Sequence, residues 1–178
     1  KDTDTYLMVF LNGVFEPSLS SISCEKAHIS TFKNANEEQQ KIIEKYWGSC
    51  LPKQGDAFVS ANNGLAQEGA FVYIPKSVVL DKPLQIVYAS KNENPLFLQT
   101  RSLVVIEENG QAQITERHQN FSDSEVFTNA VTEIVVKQNA IADFYKIQND
   151  NFKCSIIDNT WVNQANNCNC TVDTFSFG

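Results

Sequence analysis

Six residues starting at Asn109 are written three times along this chain, and the repetition limits the folds open to it. Asn109-Gly110-Gln111-Ala112-Gln113-Ile114 recurs as Asn139-Ala140-Ile141-Ala142-Asp143-Phe144 and as Asn167-Cys168-Asn169-Cys170-Thr171-Val172, at offsets of 30 and then 28 residues. After each Asn, two small residues sit at alternate positions and a larger apolar one follows. Alternate residues of a strand share a face, so each copy presents a small, small, large apolar face. A strand-sized unit repeating every 20–50 residues or so is the signature of a solenoid. Asn tolerates left-handed φ at a tight corner, and stacked Asn side chains can bond from coil to coil. The apolar runs Leu103-Val104-Val105-Ile106 and Ile134-Val135-Val136 precede the first two corners, so each coil reads strand, corner, strand. The expected fold is mainly β, a parallel β-helix.

Upstream the pattern differs. Tyr6–Leu11, Asn12-Gly13 and Val14-Phe15 predict a hairpin, because Asn-Gly suits a type I′ turn. Asn36 followed by Glu37, Glu38 and Gln39 predicts a capped helix with an apolar stripe at Ile42, Ile43, Tyr46 and Trp47, ended by Gly48. Asp56 is placed to cap a second short helix through Ala66. From Gly69 onward the signal is strand-like: Ala70–Ile74, Val78–Leu80 and Leu84–Tyr88, with loops at Lys91–Pro95 and Asn120–Glu125. The expected organisation is a hairpin plus helical segment over 1–68 and a β-helix core over 69–178. The Lys at position 1 and the strand-like ending Thr174–Gly178 suggest a piece of a longer protein, truncated at its C-terminus.

Charge removes several function classes. The net charge is −7 and no basic cluster is present, which disfavours nucleic acid, whose binding needs Lys and Arg on phosphates. The longest unbroken apolar run is Tyr6–Leu11, far short of the roughly 20 residues that span a bilayer. This argues against a membrane permease. The cysteines at 24, 50, 154, 168 and 170 form no CxxC pair or zinc-type spacing, so reduced thiols in a cytosolic protein are expected. No phosphate-binding glycine loop is present, so ATP binding by this chain is not expected.

Four groups invite a chemical role. Cys168 and Cys170 fall on one strand face and could ligate iron, but they fill the slots that Gly110/Ala112 and Ala140/Ala142 fill elsewhere, so they are expected to be core thiols. Glu116 and His118 share a face and could move protons or bind metal, yet their place before a loop predicts a solvated strand end. Glu107-Glu108 and Glu37-Glu38 are acid pairs of the kind a glycosidase uses. The first is expected on a solvated corner and the second at a helix N-terminus, where acids favour the dipole. His28 is expected at the surface.

Several stretches resemble the SufB/SufD family of iron–sulfur cluster assembly proteins. They are Phe10–Phe15, Leu65-Ala66-Gln67-Glu68-Gly69-Ala70, Tyr73-Ile74-Pro75-Lys76, Asp81-Lys82-Pro83-Leu84, Thr128–Ile134, Tyr145–Asn149 and Thr174–Gly178. The Asn-Gly hairpin resembles the SufD branch more than SufB. The resemblance implies a right-handed parallel β-helix in a non-catalytic scaffold subunit of a cytoplasmic SufB–SufC–SufD complex. It implies a SufB-like partner and a SufC-like ATPase partner for the full-length protein, and leaves room for a homodimer through β-helix pairing. The iron–sulfur cluster would be the product of that complex, with no cofactor bound by this stretch. The family's cluster-assembly Cys and His residues are expected past Gly178, so no catalytic, cofactor-binding or metal residue is carried over. The competing reading is a carbohydrate-active β-helix enzyme, a polysaccharide lyase or hydrolase, which rests on fold analogy alone.

Overall fold

The computed structural model describes residues 4–52, 55–121 and 123–177. The strands are β1 (Tyr6–Leu11), β2 (Val14–Phe15), β3 (His28–Thr31), β4 (Ala70–Ile74), β5 (Leu84–Ser90), β6 (Leu96–Ile106), β7 (Gln111–Asn120), β8 (Val126–Val136), β9 (Ile141–Asn149), β10 (Cys154–Gln164) and β11 (Asn169–Phe177). Two helices, α1 (Glu37–Tyr46) and α2 (Ala57–Leu65), lie between β3 and β4.

The strands form two sheets, ordered β11-β9-β7-β5-β1-β2 and β10-β8-β6-β4-β3. Each coil contributes one strand to each sheet, giving a solenoid of about four turns, β4–β5 through β10–β11. Neighbouring coils pair in parallel and in register: Ile74, Ile106 and Val136 stack in one sheet, and Leu84, Ile114, Phe144 and Val172 in the other.

The corners behave as the repeat requires. Asn109, Asn139 and Asn167 have φ of 58°, 58° and 59°, and Asn139 Nδ2 donates to Asn109 Oδ1 at 3.2 Å. A fourth member of this column was hidden by residue type. Ser77, at φ 62°, turns the first corner and donates its N–H to Glu108 O. That corner confines Val78–Leu80, expected as a strand, to a single bridge between Val79 and Gln111.

Between the sheets lies an apolar core built from Met8, Ile74, Leu84, Ile106, Ile114, Phe144 and their neighbours. A second cluster covers the outer face of the second sheet, where Phe71, Leu103, Val105 and Val135 meet Tyr46 of α1. This explains why Leu103–Ile106 is apolar without alternation: both of its faces are buried. α1 begins with the Asn36/Gln39 capping box, and Asp56 accepts from Phe58 N–H and Val59 N–H to start α2. α2 is fixed to the sheet by buried Asn62, which donates to Thr100 O and Asn129 O.

The two ends of the solenoid differ. At one end β2 and β3 pair antiparallel with β1 and β4, as the hairpin signal predicts for β1–β2, with Asn12 at φ 51° and Gly13 at φ 82°. At the other, β10 and β11 are edge strands with Val162, Phe175 and Phe177 exposed.

Candidate functional site

The interior of the solenoid is apolar beside the Asn corners and polar farther along the strands. Inward positions on β7 are Ala112, Ile114, Glu116, His118 and Asn120, and all five are buried. Glu116 is 1% exposed and His118 3%. They share a face as expected, with His118 Nε2 3.3 Å from Glu116 Oε1. The expected solvated strand end is overturned, because the opposite sheet and the flanking coils close over this part of β7.

Register assembles the rest of the cluster. Lys146 on β9 stacks on Glu116. Facing them from the second sheet is a hydroxyl column, Ser102, Thr132 and Thr160. Glu116 accepts from Ser102 Oγ at 2.7 Å and Thr132 Oγ1 at 3.2 Å, and meets Lys146 Nζ at 3.2 Å. Lys146 Nζ also donates to Thr160 Oγ1 at 2.7 Å and to Asp158 Oδ1 at 2.5 Å. One buried ammonium thus sits between two carboxylates, an arrangement that survives burial because the charges and lone pairs are satisfied.

Electrostatics follow from this geometry. Burial pushes the Glu116 carboxyl up, but the Lys146 charge and the hydrogen bonds of His118 and Ser102 outweigh it and hold the pKa well below the usual range. For Lys146, burial opposes the charge, while Glu116 and Asp158 more than compensate and raise the pKa. Phe10, Tyr88 and His118 form a ring stack across the neighbouring strands β1, β5 and β7, with centroid separations of 4.9 and 5.2 Å. The Tyr88 hydroxyl donates to Arg101 O at 2.8 Å, and burial drives its pKa strongly upward.

At the open end the cluster reaches a small cavity. Gln148 donates to Asp158 Oδ2 at 3.2 Å and accepts from Ser176 Oγ at 2.8 Å. Both line a cavity of ≈170 Å³ with Asp150, Asn151 and Cys154. Burial raises the Cys154 thiol, which also accepts from Asn120 Nδ2 at 3.2 Å. Chemically the cluster is a hydrogen-bonded chain of polar groups that runs from Ser102 through Glu116, Lys146, Asp158 and Gln148 to that opening.

A second buried ion pair lies on the outer face of the second sheet. Arg101 donates to Glu133, and Glu133 also accepts from Gly48 N–H at 2.9 Å and Cys50 N–H at 3.0 Å. Trp47 stacks against the Arg101 guanidinium at 4.3 Å. This pair locks the residues after α1 onto the solenoid.

The other sequence candidates are dispersed. Cys168 and Cys170 occupy the small-residue column and pack, half-buried, against the apolar core. All five cysteines are free thiols. Glu107 accepts from the Tyr46 hydroxyl at 2.9 Å, and Glu108 pairs with Lys76 at 2.8 Å. Glu37 and Glu38 lie in the first turn of α1. His28 is half-buried on β3, stacked on Tyr73, rather than freely exposed. Among the described residues no group of three His, Cys, Asp or Glu side chains is placed to hold a metal ion. Sequence reasoning missed Lys146 and Asp158. Lys146 was accessible, since it lies 30 residues after Glu116, the offset separating Asn109 from Asn139.

Comparison with known proteins points one way. Residues 1–86 match the SufBD protein N-terminal region, and residues 87–178 match the SufBD core domain of the SUF system for FeS cluster assembly. An iron–sulfur cluster assembly SufBD family protein of Staphylococcus aureus (strain USA300) is 29% identical over 121 residues, covering 65% of this chain and 25% of that protein. The iron–sulfur cluster assembly protein SufB of Bacillus subtilis (strain 168) is 27% identical over the same length, with the same coverage. The chain therefore spans about a quarter of the length of these relatives. A solenoid of stacked parallel coils, with family matches running from residue 1 to residue 178, makes this chain a member of the SufB/SufD family of SUF-system iron–sulfur cluster assembly proteins.

Proposed function

We propose that the chain is part of a non-catalytic scaffold subunit of a SufB–SufC–SufD-type complex in the cytoplasm, on the SufD branch. Its partners would be a SufB-like subunit and a SufC-like ATPase. The iron–sulfur cluster is then the product that the whole complex assembles, and this stretch binds no cofactor of its own. The observation that carries the reading is the pair of contiguous family matches, 1–86 and 87–178. The structure supports a scaffold role in a second way: the buried charges of Glu116, Lys146 and Asp158 are spent on one another, joining three coils into a rigid stack. The assignment to the SufD branch rests on the Asn-Gly hairpin, Phe10–Phe15.

Affinity purification of the full-length protein from its own cells tests this. Recovery with SufB-like and SufC-like subunits is the expected result. A full-length protein that binds neither removes the proposal.

A further inference from the structure

The two sheets are covered unequally. α1 and α2 pack on the second sheet through β6 and β8, and among the described residues neither helix packs on the outer face of the first. On that face β7 presents Thr115, Arg117 and Gln119, which alternate with its buried inward positions. Register sets Arg117 in one row with Val87 of β5 and Ile147 of β9, and puts Tyr145 beside Thr115. β7 is an inner strand, with β5 on one flank and β9, then β11, on the other. Coils stacked past β11 would widen this sheet and leave the face in front of β7 as open as before.

Arg117 is the anomaly on this face. The chain has two arginines, and Arg101 is spent inside the molecule on Glu133 and the Trp47 ring. Arg117 is half-buried, and its Nε is enclosed without a hydrogen-bond partner. Among the described residues none forms an ion pair with it. The other charge on the outward positions of β5, β7 and β9 is Asp143, which stands opposite Gln113 and outside the Arg117 row. A long cationic side chain can lie along apolar neighbours such as Val87 and Ile147, but its head is then free in water. Here Nε is closed off, which leaves the two terminal nitrogens as the edge open to a ligand. That edge of the fork fits a carboxylate. Arg and Tyr among apolar and amide side chains, with acids and lysines scarce, is also the composition of an interface core.

Charge complementarity defines the occupant. We propose that the outer face of the first sheet is a docking surface for a different protein, which brings an Asp or Glu carboxylate end-on to Arg117. Apolar side chains around that carboxylate rest on Val87, Ile147 and Tyr145. A phosphate-rich partner is disfavoured, since this face offers no second cation and the chain has net charge −7. A two-fold contact centred on the row would set Arg117 against its own copy. The proposal stands whether or not the scaffold reading holds.

Zero-length crosslinking of the full-length protein, in extracts of its own cells, is the test. Arg117→Lys keeps the charge and places a primary amine at this position, and a carbodiimide joins an amine only to a carboxylate in contact with it. The Lys76–Glu108 pair, at 2.8 Å, is an internal positive control. The expected product, located by peptide mass spectrometry, links position 117 to one Asp or Glu of another protein. Arg117→Glu should weaken the complex with that protein by about tenfold or more, and reversing the identified acid to Lys should restore it. Arg117→Gln should weaken it in the same direction, and both variants should keep the circular dichroism spectrum of the parent. A link from position 117 to an acid of the same chain, or of a second copy, overturns the proposal. So does a Lys76–Glu108 link with no product at position 117, or a complex indifferent to Arg117→Glu and Arg117→Gln.

Discussion

Lys146 lies directly above Glu116 in the parallel register, and its Nζ approaches Oε1 to 3.2 Å in an interior where both side chains are 1% exposed. Because side chains alternate between faces, a one-residue slip of β9 would turn Lys146 outward and leave Glu116 and Asp158 without their cation. The ion cluster therefore specifies register, while the apolar columns on either side supply most of the favourable burial.

Removing the cation alone should be costly. Lys146→Met leaves two carboxylates unpaired in the core, and loss of about 3–5 kcal/mol is expected from urea unfolding. The triple variant Glu116→Gln/Lys146→Met/Asp158→Asn should regain part of that loss, since the neutral groups no longer need a counter-charge. Equal stability of the single and triple variants would refute the account.

Acid should act through the same carboxylate. The folded pKa of Glu116 lies below its unfolded value of about 4.3, so its contribution is complete above that value and fades as pH falls toward the folded pKa. Wild type should exceed Glu116→Gln in stability at neutral pH, and the gap should narrow as the pH drops below about 4. Denaturant midpoints of the two proteins across an acid series give the comparison, and a gap independent of pH would count against it.

The corner column offers a backbone test. Asn139→Ala places an alanine at φ 58° and removes the bond to Asn109, whereas Asn139→Gly keeps a residue suited to left-handed φ. A loss of about 1–2 kcal/mol is expected for Ala, and less for Gly. If Gly proved worse than Ala, the conformational argument would fail.

Gly69 should tolerate nothing larger. A Cβ there would stand 2.2 Å from Arg101 O and 2.6 Å from the Phe32 ring, a clash with backbone that a rotamer change cannot relieve. Gly69→Ala should lower stability by about 1–3 kcal/mol or more, read as a fall in melting temperature. An unchanged melting temperature would contradict this packing.

Much of the architecture was legible because local chemistry and global fold agree. The Asn corners announced themselves through a residue type suited to left-handed φ, and Asn36 and Asp56 through capping. Ser77 did not, since serine carries no such preference. The polar interior was harder to read. Glu116, His118 and Asn120 alternate with Arg117 and Gln119, so this half of the strand is polar on both faces, and only the phase of Ala112 and Ile114 shows which points inward. Nothing local revealed that Asp158 would reach Lys146, because that contact depends on the opposite sheet.

The unlike ends of the solenoid also bear on how the molecule is made. Closing the first coil brings β1 beside β5, so Tyr6 must find Leu84 across a longer intervening chain, and this loop closure carries a larger entropic cost than any later one. Each later coil needs only about 30 residues to return to a template that already exists. The residues of the capped end precede those of the coils in the chain, so coils can be laid down in the order of translation. Growth of the fold is then directional, with every newly completed coil serving as the mould for the next.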